Sequence, residues 1–220
     1  IVFGDWSSDV CSSDLVKTLN PALQNPVKIC FISPKSYPVF NPEIDSVFGG
    51  SEVDLYNIGT ALAQDQNFKI SFIVADYGQA EVESRLSVTI IKSLNFSANP
   101  LAGAFQIWRA MKKADADFYI IKTPSPGVPL AAGFCILNKK NFIYRTASSR
   151  ECDGSYIISK PFMGFFFKWS LKHAKKILTQ NQTDAENLKR TLGRDPIVIP
   201  NAHRISSAES HGDAILWVGR

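Results

Sequence analysis

A chain of 220 residues with 45% hydrophobic and 20% charged residues can bury a sizeable core, which excludes the disordered and fibrous classes. Its net charge of +4 is concentrated in one segment, Lys160 to Lys176, where Lys160, Lys168, Lys172, Lys175 and Lys176 stand without an acid; the remainder is close to neutral, so nucleic acid is not an expected partner. The cysteines Cys11, Cys30, Cys135 and Cys152 form no C-x-x-C pair and the histidines His173, His203 and His211 show no ligand spacing, so reduced thiols in a cytoplasmic protein are expected and no metal is.

The polar stretch Ser7-Ser8-Asp9-Val10 returns as Ser12-Ser13-Asp14-Leu15. Asp5 to Leu15 resembles translated sequencing-adapter DNA, and it has neither the basic nor the apolar region of a signal peptide. Residues 1–26 are therefore expected to form a non-native or disordered tail. Val27 to Ser33 is a nearly continuous apolar run rich in β-formers, as a strand buried on both faces requires. Pro34 to Val47 reads as a long loop holding Tyr37 and Phe40, of the length that usually signals function or disorder. Phe48-Gly49-Gly50-Ser51-Glu52 then opens a helix whose apolar residues Leu55, Ile58 and Leu62 share one face. The first amides of a helix lack internal partners and its dipole is positive there. Glycines let an anion approach those amides, so this turn is read either as a phosphate or carboxylate site or as a tight turn capped by Ser51.

Further strands are predicted at Lys69–Ala75, Ser87–Ile91, Asp117–Ile121, Asn141–Thr146, Lys176–Thr179 and Pro196–Ile199. Between them lie helices at Leu101–Ala114, with Phe105, Trp108 and Met111 on a shared face, Val128–Leu137, Phe162–His173 and Gln182–Leu192. This alternation predicts a doubly wound α/β domain, a mostly parallel sheet with helices on both faces, over residues 27–202. Residues 203–213 are polar and read as a linker. Residues 214–220 start a new strand, expected to open a second domain cut off at Arg220.

A dinucleotide-binding domain would need G-x-G-x-x-G between first strand and first helix. Asp76 stands where such a domain keeps its acid, but the glycines are Gly49, Gly50 and Gly59 after a long loop, so a nicotinamide cofactor is not expected. A Walker lysine and a G-x-S-x-G elbow are also missing from the sequence.

The ordered set of Phe48-Gly49-Gly50-Ser51-Glu52, Ile197-Val198-Ile199-Pro200-Asn201 and Val218-Gly219-Arg220 resembles the amino-terminal half of a family 4 retaining glycosyltransferase with the GT-B fold. Phe142 to Ser148 and Ile177 to Gln182 are similar to segments of its bacterial members. The resemblance implies two Rossmann-like domains facing across a cleft, the first binding a glycan or lipid-linked acceptor and the second most of a nucleotide-sugar donor. It implies donor-phosphate contacts at Gly49, Gly50 and Arg220, acceptor or sugar contacts at Ser51, Glu52, Thr123, Arg145 and Asn201, and no cofactor beyond the donor. The partner lysine and paired glutamates of the family would lie beyond Arg220, so this piece alone is expected to be inactive.

At the position where many members carry a histidine near the reacting sugar carbon this sequence has Lys122, taken as the catalytic candidate that binds the leaving phosphate or hydrogen-bonds the donor sugar, or else an ordinary strand-end lysine. Arg145 heads a polar loop suited to sugar hydroxyls or to local ion pairs, and Glu52 is either an acceptor contact or a carboxylate favoured by the helix dipole. Residues 160–176 admit two readings: a core helix packed on the sheet, or a peripheral contact with an anionic membrane at the inner face of the cell membrane. The alternative to an enzyme is a non-catalytic GT-B-like or Rossmann-like binding module.

Overall fold

The structure, a computed structural model, describes residues 25–201. The expected tail up to residue 24, the expected linker at 203–213, the strand expected from Ala214 and Arg220 lie outside the described residues.

Eight strands form one sheet in the order β3-β4-β2-β1-β5-β6-β7-β8. They are β1 (Val27–Ile32), β2 (Phe68–Val74), β3 (Val82–Arg85), β4 (Val88–Lys92), β5 (Phe118–Lys122), β6 (Asn141–Arg145), β7 (Lys176–Thr179) and β8 (Ile197–Val198). All pairings are parallel except β3 with β4. The helices are α1 (Tyr37–Phe40), α2 (Gly50–Leu62), α3 (Pro100–Ala114), α4 (Gly127–Leu137), α5 (Ser155–Ser159), α6 (Pro161–His173) and α7 (Gln182–Leu192). This is the doubly wound α/β class that the alternation of elements predicts.

Strand periodicity divides the core into two layers, because successive side chains leave a strand on opposite faces. On one face Cys30, Ile32, Ile73, Tyr119 and Ile121 pack with Met111 of α3, Phe134 of α4 and Phe167 of α6. On the other Phe31, Phe72, Val74 and Ile120 pack with Leu55 of α2 and with Tyr37 and Phe40. Helix α2 approaches the sheet closely through Gly59, where a Cβ would stand 2.5 Å from the Phe72 ring. The Tyr119 hydroxyl donates to the Met111 carbonyl at 2.6 Å and accepts from the Ala116 amide at 3.0 Å, tying the end of α3 to β5.

Four expectations change. The stretch after β1 is not an open loop: a 3-10 turn at Pro34–Ser36 runs into α1, and the Phe40 ring meets Phe72 and Tyr56 edge-on at 5.0 and 4.9 Å. Strand β3, Val-Glu-Ser-Arg, carries no apolar alternation; it is a short charged edge strand with Arg85 Nε 2.7 Å from Glu83, the composition that protects sheet edges. The one-turn α5, too short for a periodic signal, packs on α6 instead of forming loop. In α3 the buried face is Gly103, Ile107, Ala110 and Met111 while Phe105 is exposed, because steps of three residues drift about 60° round the helix each time.

Candidate functional site

The cleft lies at the carboxyl ends of the strands, the edge where open α/β sheets bind ligands. A concavity of about 450 Å³ is lined by Gly50, Ser51, Val53, Asp54, Lys122, Ala147, Gln180 and Asn201. Strand β5 ends on Lys122 and β6 on Arg145, and these two residues are paired in register. Two cations are thus delivered side by side beneath the start of α2.

Between them sits Asp54, from the second turn of α2. Its Oδ2 accepts from Lys122 Nζ at 2.8 Å and from Arg145 Nε at 2.7 Å, and its Oδ1 from Arg145 Nη2 at 3.2 Å. All three are buried, with Arg145 1% and Asp54 3% exposed. Burial lowers the pKa of Lys122, and the hydrogen bond and charge of Asp54 partly offset this. One carboxylate thus faces two cations, and the charge of Glu151 also acts on Lys122.

The cluster also holds the chain that leaves β8. Arg145 Nη1 donates to the Ile199 carbonyl at 3.0 Å and Nη2 to the Pro200 carbonyl at 3.1 Å. Asn201 Oδ1 accepts from Lys122 and Arg145 at 3.3 Å each, while its amide donates to Gln180 Oε1 at 2.9 Å. Gln180 in turn donates to the Thr146 carbonyl at 2.8 Å.

The glycine turn is reorganised relative to expectation. Gly49, not Ser51, is the N-cap, and Glu52 reaches back so that its Oε2 accepts from the Gly49 amide at 2.8 Å, half of a capping box. The Gly49 amide is therefore closed to an anion, and one oxygen of Glu52 is committed to the turn rather than to an acceptor. The Glu52 and Val53 amides both lean on the Gly49 carbonyl, at 3.2 and 3.3 Å. The amides of Gly50 and Ser51 have no acceptor among the described residues. Both residues line the concavity, a Cβ at Gly50 would meet no atom within 4 Å, and they stand at the positive end of a 13-residue helix.

Thr123 follows Lys122 with φ of +76°. A β-branched residue in the left-handed region is strained, and such strain gathers at functional sites. Thr123 lines a neighbouring recess of about 320 Å³ with Ser148, Arg150 and Lys160, and Ala147 is common to both hollows. Glu151, under that recess, accepts from the Tyr144 hydroxyl at 2.9 Å and the Ala147 amide at 3.0 Å; burial raises its pKa.

The structure thus brings together Gly50, Ser51, Lys122 and Asn201 around one cleft, with Thr123 beside it. Of the two readings of Arg145, sugar contact or ion pairing, the structure shows ion pairing, but buried rather than on the loop surface: its guanidinium is spent on Asp54 and on main-chain carbonyls. Asp54 and Gln180 go unassigned in the sequence-based reading. The available signal for Asp54 is an acid beside Leu55 on the apolar stripe of a helix that faces strand ends closing in Lys and Arg. Asp76, the acid of the dinucleotide alternative, lies 3.7 Å from Lys92 and accepts from the Gly78 amide. Among the described residues no cluster of His, Cys, Asp and Glu is arranged to hold a metal. Cys30, Cys135 and Cys152 are free and buried, their thiol pKa values pushed up to about 12 by burial.

No protein-family model and no curated protein matches the sequence. Solved structures do. A sucrose-phosphate synthase from Thermosynechococcus elongatus superposes with a TM-score of 0.56 at 14% identity, covering 79% of this chain and 48% of that one. The UDP-GlcNAc 2-epimerase of Methanocaldococcus jannaschii gives 0.53 at 10% identity, covering 80% and 45%. S. aureus MnaA, solved with UDP, gives 0.54 at 11% identity, covering 79% and 44%. At these identities the likeness establishes the fold, an α/β Rossmann-like arrangement of the GT-B type. The chain spans less than half the length of each of these proteins.

Proposed function

We propose that this chain is the acceptor-side half of a family 4-type retaining glycosyltransferase, moving a sugar from a nucleoside-diphosphate sugar to a glycan or lipid-linked acceptor. The observation that carries the proposal is the meeting, over one cleft, of the Gly50 and Ser51 amides, which have no acceptor among the described residues, with the Lys122 ammonium. Breaking the bond between the sugar's anomeric carbon and the diphosphate oxygen leaves negative charge on that oxygen. Fixed donors at a helix end and an ammonium stabilise such charge as it develops.

In this mechanism the acceptor hydroxyl oxygen bonds to the anomeric carbon on the face the diphosphate leaves. The hydroxyl proton passes to the departing phosphate oxygen, and no protein nucleophile takes part. Lys122 has three N–H bonds and two acceptors among the described residues, Asp54 and Asn201. The third is the one offered to the leaving phosphate. Asp54 holds the ammonium in place, and Arg145 fixes Asp54 and the chain after β8. By resemblance, Arg220 adds a guanidinium on the diphosphate.

Calorimetric titration with UDP and with pyrophosphate tests this reading. Gly50→Ala places a methyl where the amides are open, and Lys122→Met removes the ammonium. Each is expected to weaken binding about 10- to 100-fold, the equivalent of one charge-assisted contact of about 1.5–3 kcal/mol. No binding, or affinity unchanged in both variants, overturns it. The UDP-GlcNAc 2-epimerase among the matched structures suggests a second reading on the same donor chemistry. In the full gene product, conversion of UDP-GlcNAc without any acceptor supports epimerisation, acceptor-dependent nucleotide release supports transfer, and binding without turnover leaves a binding module.

A further inference from the structure

Helix α6 has two faces of different character. Gly164, Phe167, Ser170 and Leu171 are buried and hold it to the domain. On the outside Phe162 is 75% exposed and Phe165 66%, with Ile158 of α5 at 81%. These are not scattered residues: the Phe162 and Phe165 rings both meet the Phe166 ring edge-on, at 5.2 and 5.4 Å, making one apolar ridge of the kind that marks an interaction surface. The ridge continues inward, since Met163 and Phe166 also line an apolar groove of about 660 Å³ reaching Ile32, Leu94 and Ile121.

The charge carried by the segment that forms the ridge is of one sign. Lys160, Lys168, Lys172, Lys175 and Lys176 are all exposed, and no acid interrupts the segment. Arg194 adds a sixth cation by donating to the Lys172 and Ala174 carbonyls, at 3.0 and 2.5 Å, at the negative end of the helix. No helix among the described residues is long and apolar enough to cross a membrane. Aromatics proud of a surface and flanked by lysines suit insertion to the depth of the headgroup boundary with the cations at the anionic surface.

We infer that the outer face of α5 and α6 docks on an anionic lipid bilayer. This surface is independent of the transferase reading, since none of its exposed residues belongs to the Gly50 cleft. The test is co-sedimentation of the whole chain with vesicles of phosphatidylcholine alone and of phosphatidylcholine mixed with phosphatidylglycerol. Binding is expected to the anionic vesicles only and to weaken with salt. Lys168→Gln with Lys172→Gln should lower the partition coefficient roughly 30-fold, the conversion of about 1 kcal/mol per basic residue. Phe162→Ser with Phe165→Ser should abolish binding while leaving the melting temperature unchanged, because both side chains are exposed. Absence of binding, equal binding to neutral vesicles, or binding indifferent to the two Phe substitutions overturns the inference. So does self-association of the wild type that disappears in the Phe variant without any vesicle binding, which would give the face to a second copy of the chain.

Discussion

At the scale of single residues, the site depends on a carboxylate that the sequence does not advertise. Lys122 and Arg145 can be read as strand-end cations, and the glycine pair as a helix opening, from local pattern alone. Asp54 acquires its meaning only when α2 folds over β5 and β6, bringing residues 68 and 91 positions away onto one carboxylate. Removing it would strand two buried cations, and breaking a buried pair costs far more than its presence contributes. Asp54→Asn is therefore expected to destabilise the domain by about 3–5 kcal/mol at neutral pH, read from urea unfolding. A loss below about 1 kcal/mol would show that the ammonium and guanidinium are solvated rather than clamped. The same reasoning explains why the sequence leaves two readings open for Arg145 and Glu52: a charged residue beside a predicted cleft looks available, and its engagement by Asp54 and main-chain carbonyls or by the Gly49 amide is a tertiary fact.

At the scale of elements, the buried strands are legible because their signal is continuous and apolar. Val27–Ile32, Phe68–Val74 and Phe118–Lys122 read directly as sheet-core segments. Elements whose stability comes from contacts rather than composition are not legible: β3 is polar at an edge, and α1 and α5 are single turns. Helix α5 shows the physical reason. It is held against α6 at Gly164, where a Cβ would stand 2.6 Å from the Ile157 carbonyl oxygen and 2.7 Å from its Cα. Those are main-chain atoms that cannot rotate aside. Gly164→Ala is expected to cost about 1–3 kcal/mol by overpacking and to raise amide exchange across Ser155–Ser159. Unchanged exchange in that segment would show that α5 is not seated on this glycine. Within α6, the core-helix reading describes the face of Gly164, Phe167, Ser170 and Leu171, while Phe162 and Phe165 on the other side are exposed.

At the scale of the whole molecule, a sheet with helices on both faces leaves one edge where loops from several strands converge. This chain places there a helix start with two amides that have no acceptor among the described residues, a buried ammonium, and the segment leaving its last described strand. The Asp54 cluster joins all three, so the anion-facing turn and the exit of β8 are mechanically one unit. The GT-B-type fold agrees with the sequence reading, whereas identities of 14% or less give chemistry no vote; the chemistry rests on the geometry of the cleft.

The most direct test of that geometry follows the backbone amide resonances of the ¹⁵N-labelled chain while pyrophosphate is added. Gly50 and Ser51 should move furthest and saturate together, with Gly49, closed by Glu52, moving less, and the response should vanish in Gly50→Ala. Saturable shifts centred elsewhere, or none at Gly50 and Ser51, would contradict an anion site at the head of α2.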